Sequence, residues 1–378
     1  MSRSVVAVVR TRPETVLEDY ARVMRLARYE ETLAGRDTLL KLNLSWTKYF
    51  PACSTEPWQL EGVVRTVLED GLPREQLLPV ENKTVVTNPR EGCRNNLWQP
   101  ILERYGLPFI PLPEVEWTVH RFRSQLLKLN DIFSEGIEIP KMYVGKNVIH
   151  LPTVKTHGHS TTTGAIKNAF GGLLKEVRHY AHKYIHEVMV DLVMMQKEIH
   201  PGVFAVMDGA VCGDGAGPRT MIPKVGNVLL ASSDSVAIDA IAAQIMGFDP
   251  LEIPYLRMCH DRGLGVANPS EIELAGDDVS QLRLGFRTRK SLVIWGDQML
   301  RKGALRSLEK IALHSPLVVW APFASNVYHD LLWYPTVGRA RIREFQKTEW
   351  GRLFERYRNE GTLGGPLEAP APRAARVS

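Results

Sequence analysis

The sequence predicts an α/β fold: a doubly wound, mostly parallel sheet with a small inserted segment and a helical C-terminal appendage. Three observations lead there. Uncharged runs at residues 5–9, 147–151 and 203–207 read as strands covered on both faces. Segments with helical apolar stripes alternate with such runs, as at 14–30 with Val16, Tyr20, Val23, Met24 and Ala27. Polar groups gather just after the strand ends, where open parallel sheets place their ligands: Lys41, Asn43, Glu81, Lys155, His157 and Asp208.

Taken in order, residues 5–9 form the first strand and 14–30 the first helix. Residues 37–43 form a strand ending in Lys41 and Asn43, 58–70 a helix closed by Gly71, and Leu77–Glu81 a third strand whose Pro79 favours an edge. A helix over 95–105 and an extended piece at 108–113 lead into an irregular segment, 114–142. After residue 151 come a loop, a short helix ending at Gly171 and Gly172, and a long helix over 179–199. A strand at 203–207 closes at Asp208, and a strand at 227–231 precedes a helix over 236–246 capped by Asp234. A helix over 251–262 ends this first domain, residues 1–284. The texture then changes to a basic helix over 300–313, an aromatic segment over 316–335 and a charged helix over 338–358, an appendage spanning 285–359. The Gly-, Pro- and Ala-rich residues 360–378 read as a disordered tail.

Composition narrows the function. A net charge of +5 over 378 residues admits small anionic ligands but is no nucleic-acid footprint. The four cysteines, Cys53, Cys93, Cys212 and Cys259, lack metal-finger or ferredoxin spacing, so reduced thiols and no iron–sulfur cluster are expected in a cytoplasmic protein. The N-terminal apolar run is a strand and not a signal peptide.

The densest chemistry lies between Leu151 and Gly172, which hold Lys155, His157, His159, Lys167 and Asn168 among hydroxyls and glycines. Residues 155–160 read as a loop, and the hydroxyls of Ser160 to Thr163 as caps for the following helix. A helix start of this kind favours anions. Residues 153–168 contain no acidic side chain, so Lys155 and Lys167 are expected to meet a bound carboxylate or phosphate. The structural alternative is a polar turn with good caps. Lys155→Met is therefore expected to weaken binding and spare stability, and His157→Ala to spare the fold.

His179, His182 and His186 would share one face of the long helix, where imidazoles serve as metal ligands, as proton carriers or simply as surface residues. With His157 and His159 they form a candidate site for a transition-metal ion. The glycine-rich residues 213–218, with Gly215, Gly217 and then Arg219, let backbone amides approach an anion, or else form a tight structural loop.

Lys155-Thr156-His157, followed by Gly164 through Gly171, resembles the central signature of the domain of unknown function 362 family. Lys41-Leu42-Asn43, Asp208-Gly209, residues 213–218 and 232–239 resemble it as well, over about 5–276 in all. The resemblance implies the α/β fold, a small antiparallel insert over 114–142 and a site at the strand ends, more than it implies a reaction. Many relatives carry iron–sulfur segments, which this chain lacks. The family is also similar to the nickel-pincer lactate racemase family, which implies racemase-, isomerase- or oxidoreductase-like chemistry.

The expected function is an enzyme acting on a small anionic molecule. Lys155, His157 and Lys167 are its catalytic candidates, and Lys41, Asn43, Asn168, Asp208, Gly215, Gly217 and Arg219 bind substrate. Two alternatives stand beside it: a non-catalytic ligand-binding or redox-partner protein, and a membrane-peripheral enzyme on a lipid-like substrate that meets the membrane surface through 300–335. Simple packing of the appendage also explains that stretch. The sequence does not fix the oligomeric state.

Overall fold

A computed structural model describes residues 4–33, 35–84, 86–175, 181–288 and 326–365. A ten-stranded sheet forms its centre. The strands are β1 (Val5–Arg10), β2 (Thr38–Lys41), β3 (Leu77–Glu81), β4 (Ile110–Pro111), β7 (Asn147–His150), β8 (Thr153–His157), β9 (Thr161–Thr162), β10 (Val203–Ala216), β11 (Thr220–Ser232) and β12 (Glu273–Gly276). β5 (Trp117–His120) and β6 (Ile137–Pro140) pair antiparallel in a separate two-stranded sheet within 114–142.

The main path runs β12-β1-β11-β10-β7-β2-β3-β4. Every neighbouring pair along it is parallel except the two that involve β11. The sheet is thus mostly parallel, with β11 reversed along this path and β9 antiparallel to β8 off it. Pro79 sits one strand in from the edge, because the two-residue β4 pairs beyond β3.

Alternation along β1 shows the double winding. Val6 and Val8 enter the apolar layer on one face of the sheet, and Ala7 and Val9 the layer on the other. Helices cover both faces. They are α1 (Val16–Leu26), α2 (Pro57–Glu69), α3 (Trp98–Tyr105), α4 (Gly164–Leu173), α5 (Ile185–Ile199), α6 (Ser235–Met246) and α7 (Pro254–Asp261). The first three share a layer with Ala7, and the last four share one with Val6. The helix expected over 95–105 is broken at Leu97, whose φ is +59°.

Three local expectations are corrected. The strand after Gly202 does not close at Asp208 but runs on to Ala216 as one arm of a long hairpin with β11. Its register slips between Gly209 and Val211, and Asp208 Oδ1 accepts the amides of Ala210 (3.0 Å) and Val211 (3.4 Å) at that bulge. Residues 155–157 are not loop but strand. β8 continues the line of β7 past Pro152 and pairs with the extended β10. α4 does not stop at Gly171 and Gly172. It passes through both to Leu173, and a side chain on Gly172 would start 3.2 Å from Lys41 Cε.

The helical C-terminal appendage packs onto this body. Its helices are α8 (Val327–Gly338), which has wide π-type turns, α9 (Arg339–Gln346) and α10 (Glu349–Glu360), which starts anew where Thr348 caps it. Trp350 lies 5.2 Å from Trp58 between ring centroids and donates to Asn227 Oδ1 (2.7 Å), and Phe354 stacks on Tyr49 at 3.7 Å. Glu61 accepts the amides of Leu363 and Gly364, which ties down the start of the tail. The basic helix over 300–313, the first part of the aromatic segment and the remaining tail lie outside the described residues.

Because Trp350 fills the core beneath Trp58, Trp350→Ala should cost about 3–5 kcal/mol. Denaturant unfolding of the full chain should show one transition at a lower midpoint. An unshifted midpoint, or a second transition, would mean the C-terminal helices fold on their own.

Candidate functional site

The carboxyl ends of β2, β3, β7 and β8 bring Lys41, Glu81, His150 and Lys155 into one buried layer. Lys41 is 1% exposed. Its ammonium donates to Glu81 Oε1 (2.8 Å) and to the Leu42 carbonyl (2.5 Å). Lys155 is fully buried, and its ammonium donates to Asn43 Oδ1, to the Cys53 carbonyl (2.7 Å) and to Thr153 Oγ1 (2.9 Å). An ammonium has three N–H donors, and protein oxygens take all of them. Asn43 bridges onward by donating to Asn168 Oδ1 (3.3 Å), and Asn168 Nδ2 donates to the Lys41 carbonyl (3.1 Å).

His150 lies in the same layer. Gln196 Oε1, 2.6 Å from His150 Nε2, can only accept, so Nε2 carries the proton and Nδ1 faces the Asn168 amide at 3.4 Å. Burial pushes its pKa down to about 3. Burial likewise pushes the Lys155 ammonium down to about 8 and the Cys53 thiol up to about 12.

The helix start expected to hold an anion is already filled by a carboxyl group of the protein, whose pKa burial pushes up to about 8. The buried carboxyl of Asp239, on α6, accepts the amides of Ala165 (2.6 Å) and Ile166 (3.2 Å), and Thr163 makes no side-chain cap. Gly164 permits this closure. Its φ is +64°, and a Cβ there would lie 2.2 Å from Asp239 Oδ1. The hydroxyls serve the β8–β9 turn instead: Ser160 Oγ donates to the Thr162 carbonyl (2.8 Å), and Thr162 Oγ1 pairs with the Tyr255 hydroxyl (2.8 Å).

Asp208 does not face a cleft. It is fully buried beneath the Tyr20 hydroxyl (2.5 Å) and the Trp58 indole N–H (2.8 Å). Gly215 and Gly217 belong to the β10–β11 hairpin and its turn. A Cβ on Gly217 would meet the Thr156 carbonyl at 1.8 Å, so the glycine lets the hairpin close on β8. Thr156 Oγ1 donates to the Gly215 carbonyl (3.0 Å) across the same seam. Arg219 is half-buried near Cys53 and Asp330, whose negative forms favour its charge against the larger cost of desolvation.

The remaining basic groups meet at a second place. His157, on β8, is 5% exposed, and its ring centroid lies 5.8 Å from that of His159. His159 lies 5.5 Å from His182, and His182 5.5 Å from Phe170. Lys167 Nζ lies 5.7 Å from the same Phe170 ring. Burial, then Lys167, His159, His182 and Lys155, hold the His157 pKa well below the usual histidine range. His157 Nδ1 accepts the His159 amide (3.2 Å), so the neutral ring carries its proton on Nε2.

His182 and His186 do not share a face of the long helix. α5 begins only at Ile185, after a tight turn at 181–184, and His186 stacks on Tyr255 (6.1 Å) away from the turn that carries His182. His179 lies outside the described residues. Among the described residues, no three His, Cys, Asp or Glu groups are placed to hold a metal ion. At His157, the His159 amide occupies the Nδ1 lone pair.

Several groups here gave no readable signal: Asp239 as the cap of a helix about seventy residues earlier in the chain, Gln196 on His150, and the carbonyl of Cys53 on Lys155. Glu56 was equally silent, and its buried carboxyl accepts the Ala52 amide (2.8 Å) near Lys155.

A doubly wound sheet with polar groups at its carboxyl ends defines a member of the open α/β class. The sequence profile of the domain of unknown function DUF362 matches residues 38–244, and the chain belongs to that family. It is similar to the thylakoid-associated protein sll1697 of Synechocystis sp., at 28% identity over 247 residues, 64% of this chain and 71% of that protein. No solved structure matches the chain.

The Lys155 network has a pH signature. Its folded pKa of about 8 lies below the ordinary 10.5, so its linked stability is complete above 10.5 and is lost as pH falls through about 8. Between pH 8 and 10 the wild type should therefore gain up to about 1.4 kcal/mol per pH unit over Lys155→Met. Urea unfolding of both proteins at pH 8, 9 and 10 measures this. A gap that stays constant with pH would show that folding leaves the Lys155 pKa unshifted.

Proposed function

We propose that the protein is an enzyme that binds a small anionic molecule at the cluster of His157, His159, His182 and Lys167. The convergence of these four basic groups from β8, the β8–β9 turn, the 181–184 turn and α4 carries the reading. Neutral His157 offers its Nε2–H to an anionic oxygen. Lys167 supplies charge, and half-buried His159 and His182 are of the type that moves protons near neutral pH. Lys41, Asn43, Lys155 and Asn168 act beneath the site as its fixed floor.

A peripheral membrane location is the second part of this proposal. The thylakoid association named for the Synechocystis protein supports it. Among the described residues, no helix is long and apolar enough to cross a membrane.

Calorimetric titration with inorganic phosphate and with oxalate tests the site. At least one should bind saturably, and Lys167→Met should weaken that binding by about 1.5–3 kcal/mol, the scale of a charged hydrogen bond. No saturable binding, or equal affinity in Lys167→Met, would contradict the reading.

A further inference from the structure

Between the β10–β11 hairpin and the C-terminal helices runs an open groove of about 490 Å³. Val211, Ile222 and Val225 form one wall, and Val337, Ala340 and Phe345 the other. This volume falls in the range of small-molecule pockets, and its lining is mainly apolar.

The apolar surface continues outside the groove. Leu331 is 66% and Leu332 59% exposed on α8. In a helix with π-type turns, residues five apart stack, so Leu332 leads directly to Val337 at the groove mouth. A dissolved ligand enclosed in the groove would have no use for two bare leucines beside it. An apolar layer wider than one ligand would cover them.

The charge beside this strip is positive. Arg339 and Arg343 lie four residues apart on α9, both are exposed, and neither meets a carboxylate among the described residues. The neighbouring charges are already engaged: Glu344 pairs with Lys347 (2.7 Å), Lys224 with Asp214 (2.8 Å), and Arg341 donates to the Met221 carbonyl (2.6 Å).

We infer that this face docks on an anionic phospholipid bilayer. Leu331 and Leu332 enter the surface, Arg339 and Arg343 hold lipid phosphates, and the groove takes one acyl chain. Exposed leucines flanked by guanidiniums are the combination that interfacial binding requires. The inference rests on the peripheral location proposed above and is independent of the histidine cluster.

Flotation of the full chain tests it, with vesicles of phosphatidylcholine alone and of phosphatidylcholine with about a third phosphatidylglycerol. The wild type should float only with the anionic vesicles. Arg339→Glu with Arg343→Glu should lower partitioning roughly tenfold or more, and Leu331→Ser with Leu332→Ser should also lower it, with the circular dichroism of both variants unchanged. Ala340→Trp should still float but should retain less phosphatidylglycerol in native mass spectrometry, because the groove is filled. No flotation on either vesicle would overturn the peripheral location together with this inference. Wild-type flotation that both double variants match would leave the location standing and reject this face. Equal lipid retention by Ala340→Trp would reject the groove.

Discussion

Two lysine ammoniums buried under the carboxyl edge of the sheet constrain everything around them. A buried charge is tolerable only if its donors are satisfied. Lys41 meets this demand with Glu81, and Lys155 with Asn43, Thr153 and the Cys53 carbonyl. Those partners come from β2, β3, β8 and the loop before α2, and Asn168 ties α4 to the same layer. Four separate elements are thereby held in one arrangement before any ligand arrives. Tyr143 and Lys41 also account for Gly172 of α4, since their side chains occupy the space that a larger residue there would fill.

The same logic decides where chemistry remains available. Asp239 has taken the amides at the start of α4, and protein oxygens have taken the Lys155 ammonium. Both halves of the anion site expected near Lys155 are thus filled from within. His157 lies two residues further along β8 and differs in kind. Its Nδ1 is fixed by the His159 amide, which leaves a neutral Nε2–H among other basic groups. A neutral donor among cations suits an anionic ligand better than it suits a metal ion.

Much of the fold was legible because apolar runs and helical stripes are local signals. β1, β3 and β7, the α1 stripe, and the Asp234 cap of α6 could all be read along the chain. The failures share a physical cause. β10 runs on through glycines, alanine and aspartates because β11 supplies its hydrogen bonds, and composition alone reads such a stretch as loop. The spacing of His182 and His186 suggested one helical face, but the helix starts at Ile185, beyond His182. The basic groups were found as a set, yet their division into a buried floor and an outer cluster depends on contacts more than a hundred residues apart, such as Lys155 with Asn43 and with Cys53. The C-terminal helices were legible as an appendage, but nothing in their order names Trp58 and Tyr49 as the partners of Trp350 and Phe354.

The account turns on the state of His157. Nitrogen NMR of histidine-labelled protein at pH 7, with and without inorganic phosphate, reads that state directly. The account predicts a neutral ring protonated on Nε2 whose signal moves when phosphate is added. A ring protonated on Nδ1, or one that is Nε2-protonated but indifferent to phosphate, would contradict it.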